Sequence, residues 1–400
     1  MTPPSENCVR VAIACGGTGG HLFPGLAVAG QLTRRGCAVT LLISPKEVDQ
    51  QGVKSATGLK VATLPAVGLT QGNKLAFFRG FRDSYRAAKE LFATERPQAA
   101  LAMGGFTSAP PILAARKVGA QTFLHESNAV PGRANRWLSW VVDRAFIGFP
   151  AASARLHNRR ITVTGTPVRS EFVLSSVADC RSALGLDPSR PVLLVMGGSQ
   201  GASGINDLVS RSLPLVSPRL PELQWILLTG PADAEKVRAA CAALRLNAVV
   251  HGFFDQMKLA LGAATAAISR AGASSLAELA AMRVPAILIP YPAATDQHQL
   301  LNAREFATTG AARLIEQHAA TPAALSQGIV DLVHSATERE RMQASLAKWY
   351  APRAAEIIAD DILQALGIPA GGRADSRQPR DPSAGTSNPN PGAWQQQAVA

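Results

Sequence analysis

The chain has 400 residues, of which 47% are hydrophobic and 17% charged, a globular composition that excludes general disorder and allows two domains. The net charge of +12 lies entirely in residues 1–165, which carry 20 Lys and Arg against 8 Asp and Glu, because residues 166–400 carry 20 of each. This basic half predicts an anionic partner such as an acidic lipid or a phosphorylated ligand. Nucleic acid is not expected as a partner, since aromatic residues make up only 5% and no nucleic-acid-binding module is visible.

Cysteine content and hydropathy together predict a soluble, cytosolic protein. The five cysteines are odd in number and show no C-x-x-C spacing, which favours buried thiols in a reducing compartment. The opening Met1–Asn7 is polar, so no secretory signal is expected. No apolar run reaches the roughly 18 residues that a membrane-spanning helix needs.

In the first half, short apolar runs alternate with stretches of helical spacing. The predicted strands are Val9–Ala14, Ala38–Ile43, Gln98–Ala102, Gln121–His125 and Ala145–Gly148, and the predicted helices are Leu26–Arg35, Phe77–Glu95, Ala109–Lys117 and Arg133–Trp140. Continuous apolar strands that alternate with helices are typical of a parallel sheet covered on both faces.

The second half repeats this plan. Its predicted strands are Val192–Met196, Trp225–Leu228, Ala248–Val250, Ala266–Ser269 and Ala286–Ile289, and its predicted helices are Ala202–Ser212, Ala234–Leu244, Ser274–Ala281 and Gln297–Phe306. We therefore expect two α/β Rossmann-like, doubly wound domains that face each other across a cleft, since ligands lie beyond the carboxyl ends of such strands.

The predicted domain boundaries follow from this pattern. Residues 1–165 form the first domain, residues 166–350 form the second, and residues 351–368 form a C-terminal helix that packs back on the first. Residues 369–400 are rich in Gly, Pro, Ser and Gln and are predicted to be a disordered tail.

Three glycine-rich turns follow predicted strands, at Gly16–Gly20, Met103–Phe106 and Gly197–Gly204. Such a turn lets the amide groups at a helix start face an anion, although glycine also serves ordinary tight turns. None is a Walker loop, because no Lys-Ser/Thr pair follows the glycines. Three turns in two matched halves therefore indicate ligands that carry several phosphates.

Polar residues gather near these turns. His21 ends the first turn, where an imidazole can accept a proton near neutral pH; the alternative is a histidine that only bonds nearby backbone. Glu278 lies one turn into a predicted helix, where its carboxylate could accept two hydrogen bonds from a ribose or serve the helix dipole. No H-E-x-x-H or D-x-D motif is present, so no tightly held metal is expected.

The ordered set GGTGGHLFPG, MGGFTSAP, LHESNAVPGRANRWL, GTPVR, GGSQGA, SRAGASSLAEL and DQHQLLNA resembles the GT-B-fold glycosyltransferases that use UDP-sugars. Within them it is most similar to the family that transfers N-acetylglucosamine from UDP-GlcNAc to undecaprenyl-diphospho-muramoylpentapeptide. The resemblance runs from about Val9 to Leu366. It implies an inverting hexosyltransferase of peptidoglycan synthesis with no cofactor, and it leaves open whether a divalent cation assists.

The resemblance also implies roles for matching residues. For catalysis these are His21 as the base and Glu126 as a residue that orients His21 or the acceptor. The residues implied to bind UDP-GlcNAc are Thr18, Gly19, Gly20, Asn128, Arg169, Ser199, Phe254, Ala273, Ser274, Ser275, Glu278 and Gln299, with Phe253 under the uracil, Met257 nearby and a less certain contact from His298. The loops implied to face the acceptor diphosphate contain Gly16, Gly17, Gly104 and Gly105.

A membrane-bound acceptor gives the basic half a partner. The segment around Leu75, Phe77, Phe78 and Phe81 mixes aromatic and basic residues, which predicts docking on an anionic membrane, with a partly buried helix as the alternative. The resemblance further implies a peripheral protein on the cytoplasmic face of the inner membrane, linked to cell shape, cell division and other cell-wall proteins. Two rival functions stay open: a transferase acting on diacylglycerol, and a non-catalytic UDP-sugar sensor or membrane scaffold.

Overall fold

The computed structural model describes residues 8–55, 58–65, 74–198 and 201–369. Within these ranges the chain folds around two parallel β-sheets, each covered by helices on both faces. The predicted fold class is thereby confirmed. The predicted tail beyond Pro369 lies outside the described residues.

The first sheet has the strand order β3-β2-β1-β4-β5-β6-β7, and every neighbouring pair is parallel. Its strands are β1 Arg10–Ala14, β2 Ala38–Ile43, β3 Lys60–Thr63, β4 Ala99–Ala102, β5 Gln121–Glu126, β6 Arg144–Ile147 and β7 Ile161–Val163. The α-helices between them are α1 Gly19–Arg34, α2 Glu47–Gly52, α3 Lys74–Glu95, α4 Ala109–Lys117 and α5 Arg133–Leu138, with short 3-10 segments at Val53–Ser55 and Pro150–Arg155. Chain order reverses at β1 and β4, which is where doubly wound folds open a ligand crevice.

The second sheet has the order β10-β9-β8-β11-β12-β13, again with parallel neighbours. Its strands are β8 Val192–Met196, β9 Gln224–Leu228, β10 Ala248–His251, β11 Ala266–Ser269, β12 Ala286–Leu288 and β13 Arg313–Leu314. The helices are α6 Val177–Ala183, α7 Ser203–Val216, α8 Ala234–Ala243, α9 Met257–Ala263, α10 Ala273–Met282, α11 His298–Thr308, α12 Pro322–His334, α13 Ala336–Trp349 and α14 Ala354–Ala365, with a 3-10 segment at Thr295–Gln297.

The last helix, α14, belongs to the core of the first sheet. Ile358, Ile362 and Leu363 are fully buried against the core that α1 and β1 form. Two ion pairs fix its polar side, Arg35 with Asp360 at 2.8 Å and Arg144 with Asp361. The chain thus leaves the second sheet and returns to the first.

Three aromatic rings join the two sheets beside the crossing points of the chain. Phe149 of the first half lies 5.2 Å from Trp349 and 6.1 Å from Phe306, and the last two rings stack at 4.5 Å, all distances between ring centroids. Close by, Gly165 has a φ of 78°, and a Cβ there would lie 2.3 Å from the Cβ of Ala351. A side chain at residue 165 would therefore push apart the two segments that cross between the sheets.

The described strands match the apolar runs of the sequence except at three of the four sheet edges. β3, β7 and β13 were not predicted, because their side chains are half-exposed and lack the continuous apolar pattern of a buried strand. Four helices were also missed: α2, α6 and α9, which are only six or seven residues long, and α12. The Gly and β-branched residues of α12 lower its helix propensity, while Thr321 caps it by accepting from the Ala324 amide at 3.1 Å. All five cysteines are buried and free, as predicted.

Candidate active site

One cleft of about 2740 Å³ lies between the carboxyl ends of the two sheets. It is lined by the first turn, the second turn and the start of α5 from one side, and by the starts of α7, α10 and α11 from the other. The structure thus brings together most of the described site residues of both halves, while Glu126 and Gly104 lie behind the cleft lining. Ser199, expected at the diphosphate, lies outside the described residues.

The first glycine turn is braced by a buried carboxylate that the sequence analysis missed. Asp49 of α2 accepts from the Gly17 amide at 2.6 Å and from the Ser44 amide at 3.0 Å. Gly17 needs its left-handed φ of 109°, and a Cβ on Gly16 would lie 2.4 Å from the Ser44 nitrogen. The Gly17 amide thus has an acceptor within the protein, and the contact of this loop with the acceptor diphosphate stays a prediction.

The second glycine turn provides the surface on which the His21 ring rests. A Cβ on Gly104 would lie 2.8 Å from His21 Nε2, and one on Gly105 would lie 3.1 Å from Cε1. Both glycines have positive φ values, 115° and 76°, which other residues rarely adopt. In this structure these glycines make room for an imidazole, a use that differs from the expected contact with the acceptor diphosphate.

His21 lies at the start of α1 with its ring in the cleft. Its Nδ1 is 3.1 Å from Thr18 Oγ1. Burial, with smaller contributions from the nearby His298 and Lys46, lowers its pKa to about 4, against the opposing effect of Asp49. The ring is therefore neutral at physiological pH and able to accept a proton.

Glu126 accepts four hydrogen bonds from the loop that follows it and from α5. Its Oε1 accepts from the backbone and side-chain nitrogens of Asn128 at 2.8 and 2.9 Å. Its Oε2 accepts from the Gly132 amide at 3.0 Å and from Asn135 Nδ2 at 2.9 Å. Burial raises the pKa of Glu126, while these four donors favour the charged form. The carboxylate therefore holds the loop that carries Asn128, and its part in orienting His21 or the acceptor stays a prediction.

Arg169 and Glu278 form the charged wall of the second half. Arg169 Nη2 lies 3.8 Å from Glu278 Oε1, and its Nη1 lies 3.0 Å from Glu171. The guanidinium also stands 4.5 Å from the Phe23 ring centroid and 5.0 Å from that of Phe172, both within cation–π range. Burial raises the pKa of Glu278 to about 7, although Arg169 acts to lower it. The Glu278 carboxyl group therefore titrates near neutral pH.

The starts of α1 and α10 meet across the cleft. Ser274 Oγ donates to the Gly20 carbonyl at 3.0 Å. That carbonyl is free to accept because Pro24, four residues on and inside α1, has no amide hydrogen. Ala273 and Ser275 flank Ser274 and line the same cleft, as do Thr18 and Gly19 on the opposite side. Two helix N-termini therefore face one another, which makes the space between them attractive for an anion.

The outer part of the second-half wall carries the residues expected to meet uracil and sugar. Phe253 is 58% exposed, and Phe254 packs against His251 with ring centroids 4.7 Å apart. Both rings and Met257 line the cleft. Gln299 Oε1 accepts from the Tyr291 amide at 3.0 Å, and His298 Nδ1 lies 2.7 Å from the Thr295 carbonyl. The amide group of Gln299 is thereby fixed at the cleft edge.

Four hydrogen bonds join the two halves beside the Asn128 loop. Asn302, fully buried, donates to Asn128 Oδ1 at 3.0 Å and accepts from the Ala129 amide at 2.8 Å. Asp296 accepts from Arg133 at 3.2 Å and from Arg136 at 3.0 Å. Asp296 has a φ of 50°, a left-handed conformation that costs a non-glycine residue about 1–2 kcal/mol. These bonds join the segments that carry Asn302 and Asp296 to the Asn128 loop and to the start of α5.

The predicted membrane segment forms the first half of α3. Leu75 is 74% exposed and Phe78 is 65% exposed, whereas Phe77 and Phe81 are half-buried. The Phe77 ring contacts both other rings, with centroids 5.9 Å from Phe78 and 6.3 Å from Phe81. Searching the described helices finds none that is both long and apolar enough to span a bilayer. Nor do the described residues place three or more His, Cys, Asp or Glu side chains where they could hold a metal ion.

Two parallel, doubly wound sheets that share one cleft, with a last helix returning to the first, define the GT-B class of glycosyltransferase fold. Residues 11–147 match the model for the glycosyltransferase family 28 N-terminal domain, and residues 192–358 match that for its C-terminal domain. The chain belongs to glycosyltransferase family 28.

Curated relatives share most of their length with this chain. The UDP-N-acetylglucosamine–N-acetylmuramyl-(pentapeptide) pyrophosphoryl-undecaprenol N-acetylglucosamine transferase of Zymomonas mobilis is 37% identical over 363 residues, 88% of this chain and 90% of that protein. The protein of the same name from Anaeromyxobacter sp. (strain K) is 34% identical over 89% of this chain and 93% of its own. The crystal structure of Acinetobacter baumannii MurG superposes with a TM-score of 0.68 at 27% identity, covering 89% and 99% of the two chains.

Proposed function

We propose that this protein transfers N-acetylglucosamine from UDP-GlcNAc to the 4-hydroxyl of the muramoyl sugar of undecaprenyl-diphospho-muramoylpentapeptide. The observation that carries the proposal is the cleft itself, in which a neutral His21 from one sheet faces Arg169 and Glu278 from the other. The names of relatives at 34–37% identity over nearly the whole chain support the same substrates.

The donor fits the second-half wall. Glu278 accepts two hydrogen bonds from the ribose, and Phe253 lies against the uracil. The diphosphate is received by Arg169 and by the amides at the start of α10. UDP leaves with increasing negative charge on its diphosphate, so fixed positive groups at this position favour the transition state over the bound substrate. Gln299, oriented by its bond to the Tyr291 amide, contacts the hydroxyls of the sugar.

The acceptor enters from the first half. The reaction is a single inverting displacement in which the 4-oxygen of the muramoyl sugar bonds to C1 of GlcNAc as the C1–O bond to UDP breaks. His21 takes the hydroxyl proton, for which its lone pair at physiological pH suits it. Glu126 acts one step away, since it fixes Asn128 beside the acetamido group of the donor.

The lipid tail of the acceptor requires contact with a bilayer. We propose that Leu75, Phe77, Phe78 and Phe81 of α3 enter the headgroup region of an anionic membrane, at the cytoplasmic face of the inner membrane. Two exposed apolar side chains on a helix that also carries Arg79, Arg82 and Arg86 support this. Leu75→Ser with Phe78→Ser should reduce sedimentation with phosphatidylglycerol vesicles. Unchanged sedimentation, or equal binding to neutral vesicles, would contradict the docking surface.

The direct test of the function is UDP release in the presence of UDP-GlcNAc and a short-chain analogue of the acceptor. Release should require both substrates, and mass spectrometry should find the acceptor heavier by one N-acetylhexosamine. His21→Ala should lower kcat by about 10²–10⁴-fold while UDP binding is retained, because removal of a general base has this effect. Near-normal turnover of His21→Ala would refute the base, and UDP release without the acceptor would refute the transfer.

A further inference from the structure

The diphosphate of the acceptor needs positive charge on the first-half side of the cleft. The glycine turns do not supply all of it, because the Gly17 amide already donates to Asp49 and the His21 ring packs against Gly104 and Gly105. A positively charged group beside these turns is Lys46, which stands immediately before α2 and lines the cleft.

Lys46 is held between the two turns by its own contacts. Its Nζ donates to the Gly17 carbonyl at 3.2 Å and lies 6.0 Å from the ring centroid of Phe106. Gly17 belongs to the first turn and Phe106 directly follows the glycines of the second. The adjacent acid, Glu47, accepts from Gln51 one turn along α2, at 2.7 Å. The ammonium group has two further hydrogens to donate.

The chemistry of the acceptor places an anion near this position. The reacting hydroxyl is on C4 of the muramoyl ring and the diphosphate is on C1, so the two groups are separated by the width of one sugar ring. If His21 receives the C4 proton, the diphosphate lies within one sugar ring of it. Lys46 bonds a residue only four positions before His21, and its charge contributes to lowering the pKa of His21.

We propose that Lys46 binds the diphosphate of the lipid-linked acceptor and thereby positions the muramoyl 4-hydroxyl beneath His21. The assignment rests on the proposed transferase function. Lysine suits this role as a compact, strongly charged donor on a flexible stem, which can follow the diphosphate as the cleft closes. The Gly17 carbonyl and the Phe106 ring hold the ammonium group in place until the acceptor arrives.

Steady-state kinetics with UDP-GlcNAc and a short-chain, diphosphate-bearing acceptor analogue test the assignment. Lys46→Met should raise the KM for the acceptor about tenfold or more, the usual effect of removing one charge-assisted hydrogen bond. The KM for UDP-GlcNAc should stay within about twofold, which also shows that the variant is folded. Lys46→Arg should recover most of the lost affinity, because it restores the charge.

The matched control is Lys54→Met, which removes another lysine that lines the same cleft. It should leave the acceptor KM unchanged. Inorganic pyrophosphate offers a second readout: it should compete with the acceptor in the wild type and in Lys54→Met, and compete much less in Lys46→Met.

An unchanged acceptor KM in Lys46→Met, or equal rises in the KM of both substrates, would overturn the role of Lys46 and leave the transferase function standing. Wild-type protein that does not glycosylate the analogue would instead refute the proposed function, and the role of Lys46 with it.

Discussion

Replacing Glu126 by glutamine should destabilise the protein by about 3 kcal/mol. The carboxylate accepts four hydrogen bonds from Asn128, Gly132 and Asn135, and it is only 2% exposed. Glutamine keeps one oxygen that accepts hydrogen bonds. Its NH₂ group faces the other two donors and leaves them without an acceptor. Each buried donor left without an acceptor costs about 1–3 kcal/mol, and water can reach part of the loop at the cleft. The expected loss is therefore about 3 kcal/mol, in the lower half of the range of about 2–6 kcal/mol for two donors.

Urea unfolding followed by tryptophan fluorescence measures this loss, with the exposed Glu90→Gln as the control, which should unfold like the wild type. Glu126→Gln should turn over more slowly, because the Asn128 loop becomes less ordered. Its KM for UDP-GlcNAc should rise, because Asn128 is displaced. A variant as stable as the wild type but inactive would refute this reasoning, because Glu126 would then act on the substrates directly.

Further predictions concern both walls of the cleft. Burial raises the pKa of Glu278 to about 7, so its carboxylate gains a proton as the pH falls from about 8 to about 6. The affinity for UDP, measured by calorimetry, should fall over the same pH range, and Glu278→Gln should remove this pH dependence. In unfolding experiments, the contribution of Glu278 to stability should fall as the pH rises from about 4.5 to about 7, because in this range the folded state holds a proton that the unfolded state has lost. Gly104→Ala should strain the turn by about 1–3 kcal/mol and displace His21, lowering kcat while UDP binding persists. Asp296→Asn should lower kcat/KM up to about fivefold, since two partly exposed ion pairs are worth about 1 kcal/mol, and exchanging charges with Arg136 should restore it.

The buried architecture follows closely from the sequence. Strands such as Ala38–Ile43, Val192–Met196 and Ala266–Ser269 have the same bounds in the sequence pattern and in the structure, because each is apolar on both faces. The edge strands β3, β7 and β13 escaped prediction because their exposed or half-exposed side chains break the apolar pattern, whereas the edge strand β10 was predicted from its apolar run. A local apolar pattern therefore predicts strands that are buried on both faces and misses strands that are exposed on one face.

Within the candidate site, the sequence located the turns but not the partners that brace them. Asp49 lies 32 residues from Gly17 in a polar stretch without a motif, and only folding brings the two together. Glu126 was noticed for its charge, although its function depends on donors as far away as Asn135. A carboxylate in a short motif can serve substrate or backbone equally well, and only its hydrogen bonds tell which. Residue type predicts the available chemistry, and tertiary contacts determine its use.

The proline inside α1 makes that helix incomplete on its own. Its Gly20 carbonyl finds a donor only when Ser274 of the opposite sheet lies against it. Opening the cleft therefore breaks a hydrogen bond that an ordinary helix would have kept internal, worth about 0.5–1.5 kcal/mol. A ligand phosphate that recruits the Ser274 hydroxyl would release the same carbonyl to water. A ligand in the donor site and the contact between the two sheets thus compete for the Ser274 hydroxyl group.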